Sequence, residues 1–117
     1  MSKQIPVSHM AFVRARAGRS AELGLRLSSL IEPSRQAPGC LHFALQQSQC
    51  DSELWLVSGF WTHQQAMTTY FNSPAMAIFA ELVQDLVVNS LDFHTFKEVS
   101  AAQALDACPA PLHKLAS

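Results

Sequence analysis

The chain is predicted to be an α+β protein of the ferredoxin-like class. Segments with strand and helix character follow one another in the order β-α-β-β-α-β. Of its 117 residues, 49% are apolar and 15% are charged, which suits a single domain with a hydrophobic core. Two helices in this order cover one face of a four-stranded antiparallel sheet.

The first half of the chain is predicted to supply a strand, a helix and a hairpin. β-Branched and aromatic residues over 6–16 predict a strand, which ends before Gly18. An apolar stripe of helical spacing predicts a helix over 19–33, which Pro33 should kink or end. Residues 40–48 and 53–61 are predicted strands joined by a short turn, so they form a hairpin.

The second half is predicted to hold an interrupted helix and the last strand. Thr62 and Gln65 fit the T-x-x-Q capping box of a helix that begins near residue 62 or 63. Ser73-Pro74 then restarts the helix, with serine as N-cap and proline in the first turn. Residues 90–99 alternate well enough for a fourth strand.

Both faces of the sheet are predicted to be apolar. In the third strand Trp55 and Val57 point one way, and Leu54 and Leu56 point the other. Two helices cover only one face, and a face open to water should carry polar residues. We therefore expect the second face to pack against another copy, which gives a homodimer.

Composition and charge exclude several classes of function. The net charge is −1 with no basic run, which argues against a nucleic-acid partner. The apolar runs are too short for a membrane span, and the N-terminus MSKQIPVSH has no signal-peptide core. We expect a cytoplasmic protein without a membrane partner.

Cysteine and histidine spacings give no support to a disulfide or a metal site. The three cysteines, Cys40, Cys50 and Cys108, include no C-x-x-C pair. Cys40 and Cys50 would lie at opposite ends of one strand, too far apart to bond within a subunit. The five histidines form no H-x-x-x-H or H-x-H pair, so we expect no metal.

The composition changes after residue 99. We assign residues 1–99 to the domain and residues 100–117, rich in alanine and proline, to a C-terminal tail or short helix. The tail is expected to be loosely held, and packing across a dimer is the alternative.

Two separated motifs resemble a known family. The run EPSRQAPGCLHF, residues 32–43, resembles the E-P-S-R-x-x-P-G-C-L-x-Y segment of the antibiotic biosynthesis monooxygenase (ABM) domain family. The run WTHQQAM, residues 61–67, followed by Ser73-Pro74, resembles its W-x-S-x-x-A-L and S-P. The resemblance covers roughly residues 6–99 and implies a dimeric α/β barrel of ferredoxin-like subunits.

The departures from the family pattern bear on its chemistry. Many members carry histidine where this chain has Tyr70 and Ala75, and glutamate where it has Gly59. Without these histidines, haem ligation by a helical histidine is disfavoured, and the resemblance implies an oxygenase without a cofactor. Its pocket would lie between the sheet and the helices, with an aromatic wall and a base or hydrogen-bond donor.

The candidate site residues are aromatic residues and histidines near this corner. Trp61 ends the third strand and Tyr70 lies about two helical turns farther on, so both are candidates for the pocket wall. Histidine suits proton transfer near neutral pH. The catalytic candidates are His9, His94 and Tyr70. The substrate-binding candidates are Trp61, Tyr70, Phe43, Phe79 and His63.

The leading hypothesis is a cofactor-independent monooxygenase acting on a small aromatic or quinol-like compound. The alternatives are a non-catalytic small-molecule-binding dimer and an isomerase of a small oxygenated metabolite. The sequence contains no G-x-G-x-x-G, P-loop or G-x-S-x-G motif that would favour a nucleotide-dependent enzyme or a serine hydrolase.

Overall fold

A computed structural model of the protein describes residues 5–99. The predicted tail at 100–117, with its short helix, lies outside the described residues. The strands are β1 (Val7–Ala15), β2 (Cys40–Gln47), β3 (Leu54–Trp61) and β4 (Val88–Lys97). The helices are α1 (Ser20–Ser28), α2 (Ile31–Arg35), α3 (Gln64–Phe71) and α4 (Ala77–Gln84), with a 3₁₀ turn at Pro74–Met76 before α4. This order confirms the ferredoxin-like α+β fold.

The four strands form one antiparallel sheet in the order β2-β3-β1-β4. β1 is therefore central, between β3 and β4. Burial alternates along it: Val7, His9, Ala11, Val13 and Ala15 are buried, and the residues between them are half-buried. The buried set faces the helices, which contact the sheet on that side.

The opposite side of the sheet carries large apolar side chains, and we call it the open face. Phe60 of β3 is 38% exposed and Phe96 of β4 is 49% exposed. They lie on this face because both pair with half-buried Ser8 of β1. His94 pairs with half-buried Met10, and His42 pairs with Phe60, so these histidines share the face. The predicted apolar character of both faces is confirmed.

The helix predicted over 19–33 is two helices, which corrects the sequence interpretation. The hydroxyls of Ser28 and Ser29 donate to the carbonyls of Leu25 and Arg26, an alternative to helix continuation that these residue types favour. Pro33 does not end the helix, because it lies in the first turn of α2, where a backbone N–H has no helical partner to lose.

The start of α3 near residue 62 or 63 is confirmed, and the capping residue is corrected. The N-cap is His63, whose Nδ1 accepts a hydrogen bond from the Ala66 N–H at 3.3 Å, and the predicted Thr62 box does not form. The chain restarts after Ser73-Pro74 as predicted, although the Ser73 hydroxyl donates back to the Tyr70 carbonyl and does not cap the turn. β4 begins two residues earlier than expected.

Candidate functional site

His9 lies inside the protein on the helix-facing side of β1. Its side chain is 2% exposed. Directly across the sheet it pairs with Gly59 of β3. A Cβ atom at position 59 would lie 2.5 Å from the His9 Cε1 atom, closer than such contacts allow. The missing side chain of Gly59 therefore makes the room in which the imidazole lies.

A hydrogen bond from Trp61 orients the imidazole. The indole N–H donates to His9 Nδ1 at 3.1 Å, and Trp61 is completely buried. Both side chains project from the sheet toward the helices, two residues apart in register. Burial lowers the pKa of His9 to about 4, so the imidazole is neutral at neutral pH.

Tyr70 of α3 closes the site from the helix side. Its ring centroid is 4.7 Å from that of Trp61 and 5.9 Å from that of His9. Its hydroxyl shares a 2.6 Å hydrogen bond with the hydroxyl of Ser34, which is completely buried on α2. Burial raises the pKa of Tyr70, so the phenol keeps its proton.

Two phenylalanine rings complete the surroundings of the imidazole. The ring centroids of Phe43 and Phe71 lie 6.1 and 5.1 Å from that of His9. We define the aromatic cluster as His9, Phe43, Trp61, Tyr70 and Phe71. Two polar pairs lie in this otherwise apolar layer: Trp61 with His9 inside the cluster, and Tyr70 with Ser34 beside it.

A cavity of about 300 Å³ lies beside the cluster, and Tyr70 forms part of its wall. The other lining residues come from α2 and the loop after it and from the corner between α3 and α4. Most are proline or alanine; they include Pro33, Ala37, Pro38, Pro74 and Ala75. No lining side chain is charged, so the cavity suits an apolar or aromatic group.

The other candidates from the sequence lie farther away. Phe79 of α4 packs on Phe93, which in turn contacts Phe71, so it borders the cluster through other rings. His63 is half-buried and caps α3. His94 lies on the open face, 2.9 Å from Asp92, and the structure does not bring it near the cluster.

Two contributors were missed in the sequence. Ser34 lies within the first motif but received no role, and Phe71 follows Tyr70 directly. A serine hydroxyl inside a family motif was an available signal. The partner of that hydroxyl was not, because Tyr70 is 36 residues away and meets it only in the folded chain.

Over residues 5–99, no cluster of three histidine, cysteine or acidic residues could hold a metal ion. In the same residues no helix is long and apolar enough to cross a bilayer. Cys40 and Cys50 are both free thiols.

The fold is similar to solved structures at low sequence identity. It matches PA3566 of Pseudomonas aeruginosa with a TM-score of 0.76 and 22% identity, covering 86% of this chain and 100% of that chain. It matches SO0527 of Shewanella oneidensis with a TM-score of 0.77 and 21% identity, covering 85% and 96%. At such identities the likeness is evidence for the fold alone.

Sequence comparison identifies the family. The chain is 22% identical over 92 residues to the uncharacterized protein sll1783 of Synechocystis, covering 79% of this chain and 63% of that protein. It therefore spans less than two thirds of that relative. The family model "Antibiotic biosynthesis monooxygenase" matches residues 6–82, well over half of the chain. The chain belongs to the antibiotic biosynthesis monooxygenase family.

Proposed function

We propose that the protein is a cofactor-independent monooxygenase that acts on a small aromatic, quinol-like compound. The observation that carries the proposal is the position of Tyr70. Its ring belongs to the aromatic cluster and also lines the cavity. A ring bound in the cavity would meet an aromatic wall and a protonated hydroxyl at the same residue.

The reaction needs an electron-rich substrate and a site that excludes water. A phenolate transfers electrons to oxygen directly. For a phenol with a free ring position, one oxygen atom enters the ring as a quinone carbonyl and the other leaves as water. The substrate supplies all four electrons, so no cofactor is required. The protein has to hold the ring and stabilise negative charge on its oxygen with fixed donors.

The size and lining of the cavity support a small substrate. About 300 Å³ is at the lower end of the usual range for ligand sites. Its proline and alanine walls offer flat apolar surface and no counter-charge. These features favour one or two aromatic rings on the part that enters.

Oxygen consumption tests the proposal. The protein is mixed anaerobically with a panel of quinols and naphthols, oxygen is added, and uptake is followed with product analysis. We expect uptake above the uncatalysed rate for at least one compound, and a decrease of about tenfold or more in Tyr70→Phe. Uptake at the uncatalysed rate across the whole panel would refute the oxygenase.

A non-catalytic binding protein is the second candidate. The Trp61 N–H donates a hydrogen bond to His9, and the hydroxyls of Tyr70 and Ser34 share another. These groups find their partners within the protein, as in a purely structural core. Thermal-shift screening followed by analysis of the recovered compound separates the two: unchanged ligand after aerobic incubation would favour binding alone. An isomerase has less support, since the buried polar residues of 5–99 include no carboxylate.

We also propose that the open face packs on a second copy of the chain. A groove of about 320 Å³ on this face is lined by apolar side chains that include Leu41, Phe60 and Phe96. Leu41 is 59% exposed, and a monomer would leave these large side chains in water. Such a pairing of sheets would give the dimeric barrel.

A further inference from the structure

We propose that His9 is a catalytic residue which acts as a neutral hydrogen-bond donor through Nε2, and that the site takes phenols that arrive as anions. The substrate class rests on the proposed function. The state of His9 rests on the contacts of the imidazole alone.

The hydrogen bond from Trp61 selects the tautomer. An indole N–H donates and never accepts. His9 Nδ1, which receives it at 3.1 Å, must therefore carry a lone pair. A neutral imidazole has one proton, so that proton is on Nε2. Moving the proton to Nδ1 would place two N–H groups against each other in a buried layer.

The Nε2–H group is free to donate. The indole N–H occupies Nδ1, so Nε2 is the ring nitrogen left for another partner. Nε2 has no hydrogen-bond partner among residues 5–99. In this part of the chain, no side-chain N or O atom is both fully enclosed and without a partner. Nε2 therefore keeps a small accessible surface, and we infer that a ligand oxygen meets it there.

The surroundings hold donors and no base. The only buried polar or charged residues of 5–99 are His9, Ser34 and Ser58. Burial raises the pKa values of Tyr70, whose ring centroid lies 5.9 Å from that of the imidazole, and of Cys40, so both groups stay protonated. Such a site stabilises an oxyanion but has no group suited to create one.

The missing base defines the substrate class. A simple phenol remains protonated at neutral pH, because its pKa is near that of tyrosine, about 10. The site would favour phenols made acidic by a conjugated ring carbonyl or another electron-withdrawing group. These lose their proton in water and bind as phenolates.

The tautomer can be measured on the unmodified protein. Long-range ¹H–¹⁵N spectra of histidine-labelled protein at pH 7 distinguish protonated from unprotonated ring nitrogens, and the His9→Gln variant identifies the His9 signals. We expect Nε2 protonated and Nδ1 unprotonated. The reverse tautomer, a mixture of the two, or a doubly protonated ring would overturn the proposal.

A phenol that changes colour on ionisation tests the donor role. We expect 4-nitrophenol to bind with its ionisation midpoint lower than in water, while the His9 signals stay neutral. His9→Phe should weaken phenolate binding about tenfold to a hundredfold, the usual loss of one hydrogen bond to a charged group. His42→Phe makes the same change on the open face and should not alter binding.

Three results would contradict the donor role. These are a bound probe that stays protonated, a His9 that becomes doubly protonated when the probe binds, and no detectable binding of the probe at millimolar concentration. The test is separate from oxygen uptake. A protein that binds phenolate through a neutral His9 but consumes no oxygen would refute the oxygenase and retain this inference.

Discussion

At the level of single residues, the site depends on the missing side chain of Gly59 in β3, which leaves room for a larger side chain from β1. His9 fills the space that a side chain at position 59 would occupy. Where relatives often have glutamate, this chain has Gly59 and a histidine from the neighbouring strand. The imidazole is neutral at neutral pH, because burial lowers its pKa to about 4.

The Tyr70–Ser34 pair should show strong coupling. In Tyr70→Phe the buried Ser34 hydroxyl loses its partner, and we expect unfolding to become easier by about 1–3 kcal/mol. Ser34→Ala added to Tyr70→Phe should cost much less than the two single changes summed, because no hydroxyl is then left unpaired. Urea unfolding of the four proteins measures this. Simple additivity would mean that the 2.6 Å contact does not form in solution.

Stability should fall when the solution becomes mildly acidic. The pKa of His9 is lowered in the folded protein from 6.5 to about 4, so between these values the unfolded chain binds the extra proton. The contribution of neutral His9 to the stability of the folded protein is complete above pH 6.5 and is lost as the pH falls toward 4. We expect the free energy of unfolding to be about 2 kcal/mol lower at pH 5 than at pH 7.

Removing the imidazole is the control for this pH effect. His9→Phe should flatten the pH dependence between 7 and 5, whatever its overall stability. Asp51 and Glu22 have pKa values lowered by hydrogen bonds from Arg14 and Arg19, and both titrate at lower pH. An unchanged slope in His9→Phe would show that another group is responsible.

At the level of elements, local motifs located the helices better than they identified the caps. The T-x-x-Q pattern placed the start of α3 within two residues. In the structure His63 has the extended backbone of an N-cap and its ring nitrogen accepts the bond. An imidazole is an unusual cap, and a short polar side chain would do the same with less loss of freedom.

Substitution at the cap should therefore show which residue begins α3. We expect His63→Ala to lower stability by about 1 kcal/mol, and His63→Asn to restore or exceed the original value. Thermal or urea unfolding of the two variants measures the difference. If Ala and Asn at this position were equally stable, the cap would contribute nothing.

At the level of the whole molecule, the open face is the dominant feature. The helices bury one side of the sheet, while aromatic side chains remain on the other. Exposed Phe60 and Phe96 line one groove there with Leu41. This is the surface expected to pair with a second copy, and it also carries His42 and His94.

Sedimentation at micromolar concentration should find a dimer. Phe60→Lys places a charge in the proposed contact and should give a monomer. Leu25→Lys is the matched control: Leu25 is 74% exposed on α1, away from the open face, and its change should leave the dimer intact. A monomer for the unmodified chain would mean that water covers the open face.

The order of elements and the apolar character of both sheet faces were determined by the sequence alone, because hydrophobic periodicity and turn chemistry act locally. Trp61 and Tyr70 could be nominated in the same way, as aromatic residues at a strand-to-helix corner. Only the tertiary structure decided between His9 and His94. Strand register places one inside beside Trp61, 52 residues away, and the other on the open face. Hydrogen bonds that join distant segments depend on this register and on space left by Gly59, which no local pattern encodes.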